Sequence, residues 1–215
     1  MSSIRARDRE ETKQLLIDAV GAVIEADGFG SVGVNKVAKA AGVDKALIYR
    51  YFGGFAQLLQ AYGDQTDFWW TVEDILGDDL PDALPNAGGD NLAAWLSLIF
   101  ERHVEFLRNH PVTLEIIAWE MSERNELTIA LEYVREQRSL DLMKQLLARF
   151  GQTDRVDMVH FGPVMALLGA AGNYLAARGR HVQNFNGLDL KSDRGWQQLF
   201  HAVETMLLGL VQEKS

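Results

Sequence analysis

The stretch VAKAAGVDKALIYRYF, Val37 to Phe52, decides the fold of the N-terminal part of the chain. An alanine-rich amphipathic turn runs into a glycine corner. A second short helix then gathers Tyr49, Arg50, Tyr51 and Phe52 at its end. Val34, Val37, Ala38 and Ala41 recur at helical spacing, and Gly42 suits the left-handed residue that ends such a helix. Asp44 is a favoured N-cap for the next helix, whose buried side is expected to be Leu47, Ile48 and Tyr51 or Phe52. Gly53 and Gly54 break it. Two short helices across such a corner form a helix-turn-helix, whose second helix enters the DNA major groove.

Helical patterning continues on both sides. Leu15, Leu16, Ala19, Val20, Val23 and Ile24 mark a first helix that stops before Asp27-Gly28, bracing the pair from behind. A fourth pattern runs from Phe55 through Leu58, Leu59 and Tyr62 to Trp69. Residues 77–91, with two prolines and acidic turn residues, read as a surface loop. Further helices are expected at about 91–109, 112–122, 126–150, 154–178 and 193–213, with no alternating strand pattern. The fold class is all-α. A DNA-binding domain over 1–54 and a helical domain over 55–215 fit the length of 215 residues.

Composition narrows the setting. A 47% hydrophobic content supports a sizeable core, and the absence of cysteine excludes disulfides and thiolate metal sites. With no apolar signal core and no run of about 18 apolar residues, no membrane partner is expected and the location is expected to be cytoplasmic. The net charge of −9 is unevenly spread. Residues 1–52 carry eight Lys/Arg against seven Asp/Glu, whereas 53–215 carry thirteen against twenty-three. Within 28–52, Lys36, Lys39, Lys45 and Arg50 face Asp44 alone. Salt screens repulsion beyond about 8–10 Å, so a local basic face on an acidic body can bind phosphate.

The segment GFGSVGVNKVAKAAGVDKALIYRYFGGFAQLLQAY, Gly28 to Tyr62, resembles the N-terminal domain of the TetR family of bacterial transcriptional regulators. That resemblance implies a homodimer on a pseudo-palindromic double-stranded DNA operator, released when a small-molecule effector enters the C-terminal domain. It places Asn35 and Lys36 toward DNA at the start of the second helix. Lys45, Ala46, Tyr49 and Arg50 become the reading surface of the third, with Tyr51 at its margin. This chain departs from the pattern twice. Gly33 stands where a capping Thr is usual, so capping there is expected to be weaker or to come from Ser31. Phe55 stands where a Lys commonly contacts DNA, leaving the N-terminal arm RARDR to supply that charge.

In the C-terminal part, Leu92, Trp95, Leu96, Ile99, His103 and Phe106 lie along one helical stripe. Trp69 and Trp70 are expected to end the fourth helix, and Trp119 with Met121 to sit on the sixth. Trp69, Trp70, Trp95, Ile99, His103, Phe106, Trp119 and Met121 are the expected lining of a pocket for an apolar or aromatic effector, with His103 orienting it. Taken one by one, these side chains are more simply read as core filling, and it is the resemblance that points to a pocket somewhere among them. His103 and His110 are two turns apart, too far for one zinc ion, so no metal and no cofactor are expected. No catalytic triad or nucleotide fingerprint appears, and GAAGNYLAARG from Gly169 lies on a helix, so an enzyme is not expected.

Gly169, Ala170, Ala171, Gly172 and Ala176 allow close helix approach, and the last helix supplies Leu199, Val203, Met206, Leu207 and Leu210. Two such helices from each of two subunits would form a four-helix dimer interface, as the resemblance also implies. The reading is a ligand-responsive DNA-binding regulator, most simply a repressor. The alternative is a helical small-molecule-binding protein without DNA-binding activity.

Overall fold

The structure is a computed structural model that describes residues 2–77, 89–150 and 158–212. The loop expected over 77–91 lies mostly outside these residues, as does the start of the helix expected from 154. Contacts divide the chain into two compact units, residues 1–69 with 119–137, and residues 70–118 with 138–215.

The first unit is built on α1 (Ser2–Asp27), α2 (Val34–Ala40), α3 (Ala46–Phe52) and α4 (Phe55–Gln65), joined by the beginning of α8 (Glu126–Phe150). Leu16, Ile17, Val20, Val23 and Ile24 of α1 meet Val37, Ala38, Ile48, Leu58 and Leu59 in its core. Leu15 does not join them. It is 52% exposed, because it sits roughly 100° round the helix from Leu16. The N-cap of α2, Gly33, has no side-chain cap, so Ser31 does not replace the missing threonine.

The fourth helix ends earlier than its apolar pattern suggests. It stops at Gln65, and Trp69 and Trp70 lie beyond its end. Thr66 turns the backbone to the extended region, and both its N–H and its hydroxyl donate to the Tyr62 carbonyl. The chain then folds back on the helix. A Cβ at Gly63 would lie 3.2 Å from the Phe68 ring and 3.1 Å from Leu131. Apolar residues therefore continue past the helix because they pack against it.

The second unit contains α5 (Val72–Leu76), α6 (Gly89–Asn109), most of α7 (Pro111–Glu120), the end of α8, α9 (Met158–Gly179) and α10 (Asp193–Gln212). Helix α6 is its centre, packing against both α9 and α10. Phe100 meets Phe200 edge-on at 6.0 Å, and Arg102 donates to the carbonyls of Ile75 and Leu76 at the end of α5. Two small elements went unexpected. Helix α5 opens with a capping box, Thr71 accepting from the Asp74 N–H and Asp74 from the Thr71 N–H. A two-residue hairpin pairs β1 (Asn184–Phe185) with β2 (Leu188–Asp189) through Asn186 and Gly187, both with positive φ. The fold remains helical, and among the described residues no helix is long and apolar enough to cross a membrane.

One ionisable pair sits inside the first unit. Arg135 donates to the Glu120 carboxylate and lies 5.3 Å from the centre of the Trp69 ring. Burial pushes the Glu120 carboxyl up to about 7, Glu132 adds to the shift, and Arg135 opposes it. Because the folded-state value is raised, the protonated form is favoured by folding. This contribution is complete below the ordinary glutamate value and is lost as pH rises through about 7. Thermal unfolding of the wild type should thus show falling stability across that window, and Glu120→Gln should flatten the slope. Parallel profiles for the two proteins would assign the slope to other groups.

Candidate DNA-binding surface and the buried histidine chain

The corner between α2 and α3 closes with two backbone hydrogen bonds. The Val43 N–H donates to the Ala38 carbonyl at 3.1 Å and the Gly42 N–H to Lys39 at 3.2 Å, with Gly42 at φ +69°. This is the Schellman arrangement, and its left-handed residue favours glycine. Asp44 starts α3 as expected, its Oδ1 accepting from the Ala46 N–H at 2.8 Å. Ile48 is fully buried, which pins the helix by one side. Gly53, at φ +91°, ends it.

With Ile48 inward, the opposite side of α3 is presented to solvent. Lys45, Ala46, Tyr49 and Arg50 are exposed, Tyr49 at 55%, and Tyr51 is half-buried. Asn35 and Lys36 of α2 are exposed as well. These seven residues all lie in the first unit, and two of them are linked. Lys45 Nζ donates to Asn35 Oδ1 at 3.3 Å, which ties the starts of α2 and α3 together. Lys36 is 3.0 Å from Asp27, the last residue of α1. That carboxylate lies one residue before the basic segment 28–52. An exposed pair of this kind contributes little to stability, so Lys36 can exchange Asp27 for a phosphate at small cost.

The residues expected to line an effector pocket are divided between the units. Trp70, Trp95, Ile99 and His103 are buried in the second, and Phe106 is half-buried there, stacked on His110 at 3.8 Å. Trp69 is buried in the first unit. Trp119, in the same unit, stacks on Phe29 at 5.5 Å and donates its indole N–H to Glu123. Met121 follows the end of α7 and is 69% exposed. A cavity of about 390 Å³ in the second unit is lined by Thr71, Val72, Glu73, Arg138, Asp141, Lys144 and Gln145, none of them in the expected set.

His103 is the centre of a buried polar chain that spacing alone did not reveal. Its Nδ1 accepts the Trp70 indole N–H at 2.8 Å, and its Nε2 lies 3.1 Å from Asn173 Oδ1. An indole nitrogen only donates, so Nδ1 carries the lone pair and Nε2–H donates to the amide oxygen. Both ring nitrogens are therefore engaged. The close approach of α9 to α6 depends on Gly172, where a Cβ would lie 2.9 Å from His103 Cδ2 and 3.4 Å from the Phe100 ring. The small residue expected to serve a subunit interface thus serves contact within the subunit. At Gly169 nothing lies within 4 Å.

Two opposing effects decide what Gly172→Ala does. Alanine favours a helix interior by roughly 1 kcal/mol, whereas overpacking a closed core costs about 1–3 kcal/mol. The contacting atoms belong to a buried ring held at both nitrogens, so overpacking should prevail. Denaturant titration should show net destabilisation. Added stability would mean that His103 yields freely.

Residues 16–62 match the family model for bacterial regulatory proteins of the tetR family. Over 171 residues the chain is 25% identical to the HTH-type transcriptional repressor SCO4008 of Streptomyces coelicolor, covering 79% of this chain and 80% of that protein. It is 36% identical over 61 residues to the HTH-type transcriptional regulator SrpR of Pseudomonas putida, 28% of this chain and 29% of that one. Its fold is similar to that of NalD, the secondary repressor of the MexAB-OprM multidrug efflux pump in Pseudomonas aeruginosa. The TM-score is 0.56 at 21% identity, over 97% of this chain and all of that one. Residues 16–62 thus carry the N-terminal helix-turn-helix domain of the bacterial tetR family, and the helical remainder shares the fold of NalD.

Proposed function

We propose that the protein is a homodimeric repressor that holds a pseudo-palindromic operator and leaves it when a small apolar or aromatic molecule binds its C-terminal helices. The observation that carries the DNA-binding half is the outward row Lys45, Ala46, Tyr49 and Arg50, set opposite buried Ile48 on a helix entered through a Schellman corner. Tyr49 offers a hydroxyl to a phosphate oxygen, and Lys45 and Arg50 offer charge. Repression is supported by the relative from Streptomyces coelicolor, which is named a repressor.

The dimer is supported by the outer faces of the last two helices. Leu167 and Tyr174 on α9, and Met206 and Leu210 on α10, are exposed, Leu167 at 71%. Val203 and Leu207 turn inward to their own subunit. Large exposed apolar side chains on two helices that both pack on α6 favour association with a second copy. The effector reading rests on Trp70, Trp95, Ile99, His103 and Phe106, which gather apolar surface about one polar chain. A ligand that bonds to His103 must exchange either the Trp70 or the Asn173 contact. Release requires the ligand to bind the DNA-incompetent form better, since equal affinity shifts nothing.

Footprinting on the DNA flanking its gene tests the first half. Tyr49→Phe should weaken binding by on the order of 1 kcal/mol with the fold intact. Lys45→Ala should weaken all sequences similarly and lower the salt slope by about one per contact. Unchanged binding in both variants would remove this surface from the mechanism, and absence of any DNA binding by the wild type would leave the small-molecule-binding reading. For the dimer, Leu167→Glu combined with Met206→Glu should give monomers in sedimentation. A dimer that survives both charges would place the interface elsewhere.

A further inference from the structure

Tyr51 is the one reading-surface residue that is half-buried, and two arginines converge on it. The Cζ atom of Arg50 lies 5.8 Å from the centre of its ring, and that of Arg9, on α1, lies 5.6 Å from the same point. Both arginines are exposed. Their guanidinium carbons are therefore no more than about 11 Å apart, close to the screening length of physiological salt.

At the upper end of that distance salt already screens most of the repulsion between two exposed charges, so both can be held on one ring. Among the described residues no carboxylate forms an ion pair with either. Glu10, adjacent to Arg9, is engaged with Lys13 at 3.1 Å, and Asp44 is engaged in capping α3. The ring offsets part of the repulsion, since each guanidinium is drawn to its π-face. What remains is an unneutralised pair of planar forks beside the exposed row of α3. Such forks match phosphate oxygens, which accept two parallel N–H bonds.

We propose that Arg9 and Arg50, fixed on the Tyr51 ring, form a two-arginine clamp for the phosphate backbone of bound DNA. The first helix then contributes a DNA ligand besides bracing the pair behind it. Tyr51 acts as a positioning residue, through the arginines and not by touching a base. This rests on the DNA-binding reading and adds a specific contact to it. Because phosphate contacts carry no sequence information, the clamp should act on any duplex.

The test uses the full-length protein and a random-sequence DNA duplex, titrated between about 50 and 200 mM salt. Arg9→Ala should lower the slope of log K against log salt by about 0.9 per protomer, with a roughly five-fold weaker affinity per protomer near physiological salt. Arg9→Lys should keep the slope and lose part of the affinity. In the background of Tyr51→Leu, Arg9→Ala should cost clearly less than in the wild type. Tyr51→Phe, which keeps the ring, should preserve the full cost and guards against a folding defect in the leucine variant. Steep salt-dependent binding by the wild type that Arg9→Ala leaves unchanged would overturn the clamp and spare the DNA-binding reading. Equal Arg9→Ala effects with and without the ring would overturn the role of Tyr51. A wild type that shows no salt-dependent binding would overturn both readings together.

Discussion

The Val43 N–H bond to the Ala38 carbonyl sets the direction in which the chain leaves α2. It is a six-residue closure that only a left-handed residue at position 42 permits, and glycine takes that conformation without Cβ strain. Everything outward of it follows. The turn delivers Asp44 to its capping position, the cap sets the first turn of α3, and the register of α3 then puts Ile48 in the core. Once Ile48 is inside, Lys45, Ala46, Tyr49 and Arg50 can only face out. A basic exposed face is thus obtained on an acidic protein without a basic core or a basic sequence average.

The second unit is organised by a different constraint, the burial of a hydrogen-bonding ring among apolar helices. A buried imidazole is tolerated when both nitrogens find partners, and here a tryptophan and an asparagine supply them. Because Trp70 donates, Asn173 must accept, which fixes the orientation of its amide as well as the tautomer of the histidine. The chain ties the start of the unit to α6 and α9. Gly172 supplies the room in which the ring lies.

Much of this was legible in the residues. The corner at Gly42, the cap at Asp44 and the break at Gly53 are local signals, decided by backbone conformation and short hydrogen bonds. The boundary at Gln65 was not, because Phe68 and Trp69 continue an apolar pattern while leaving the helix to pack against it. The signals for α5 and the hairpin, Thr-Val-Glu-Asp and Asn-Gly, were present but short beside long helical periodicities. The aromatic residues were the least legible. Core and pocket select the same side chains at the same spacing, and nothing in the order of residues says that Trp69 and Trp70 belong to different units. Charge counting by segment likewise separated Lys36 from Asp27, which the fold places together.

The adjacent tryptophans have an optical consequence. The chain has five indoles. Trp69 and Trp119 belong to the first unit and Trp70, Trp95 and Trp196 to the second. Trp69 faces a guanidinium, Trp70 bonds an imidazole nitrogen, Trp119 bonds a carboxylate, and Trp196 bonds the Leu190 carbonyl. Indole emission and the indole N–H resonance both respond to such neighbours. The protein therefore carries its own set of spectroscopic labels, distributed over both units, with Trp70 reporting on its hydrogen bond to His103 without any added dye.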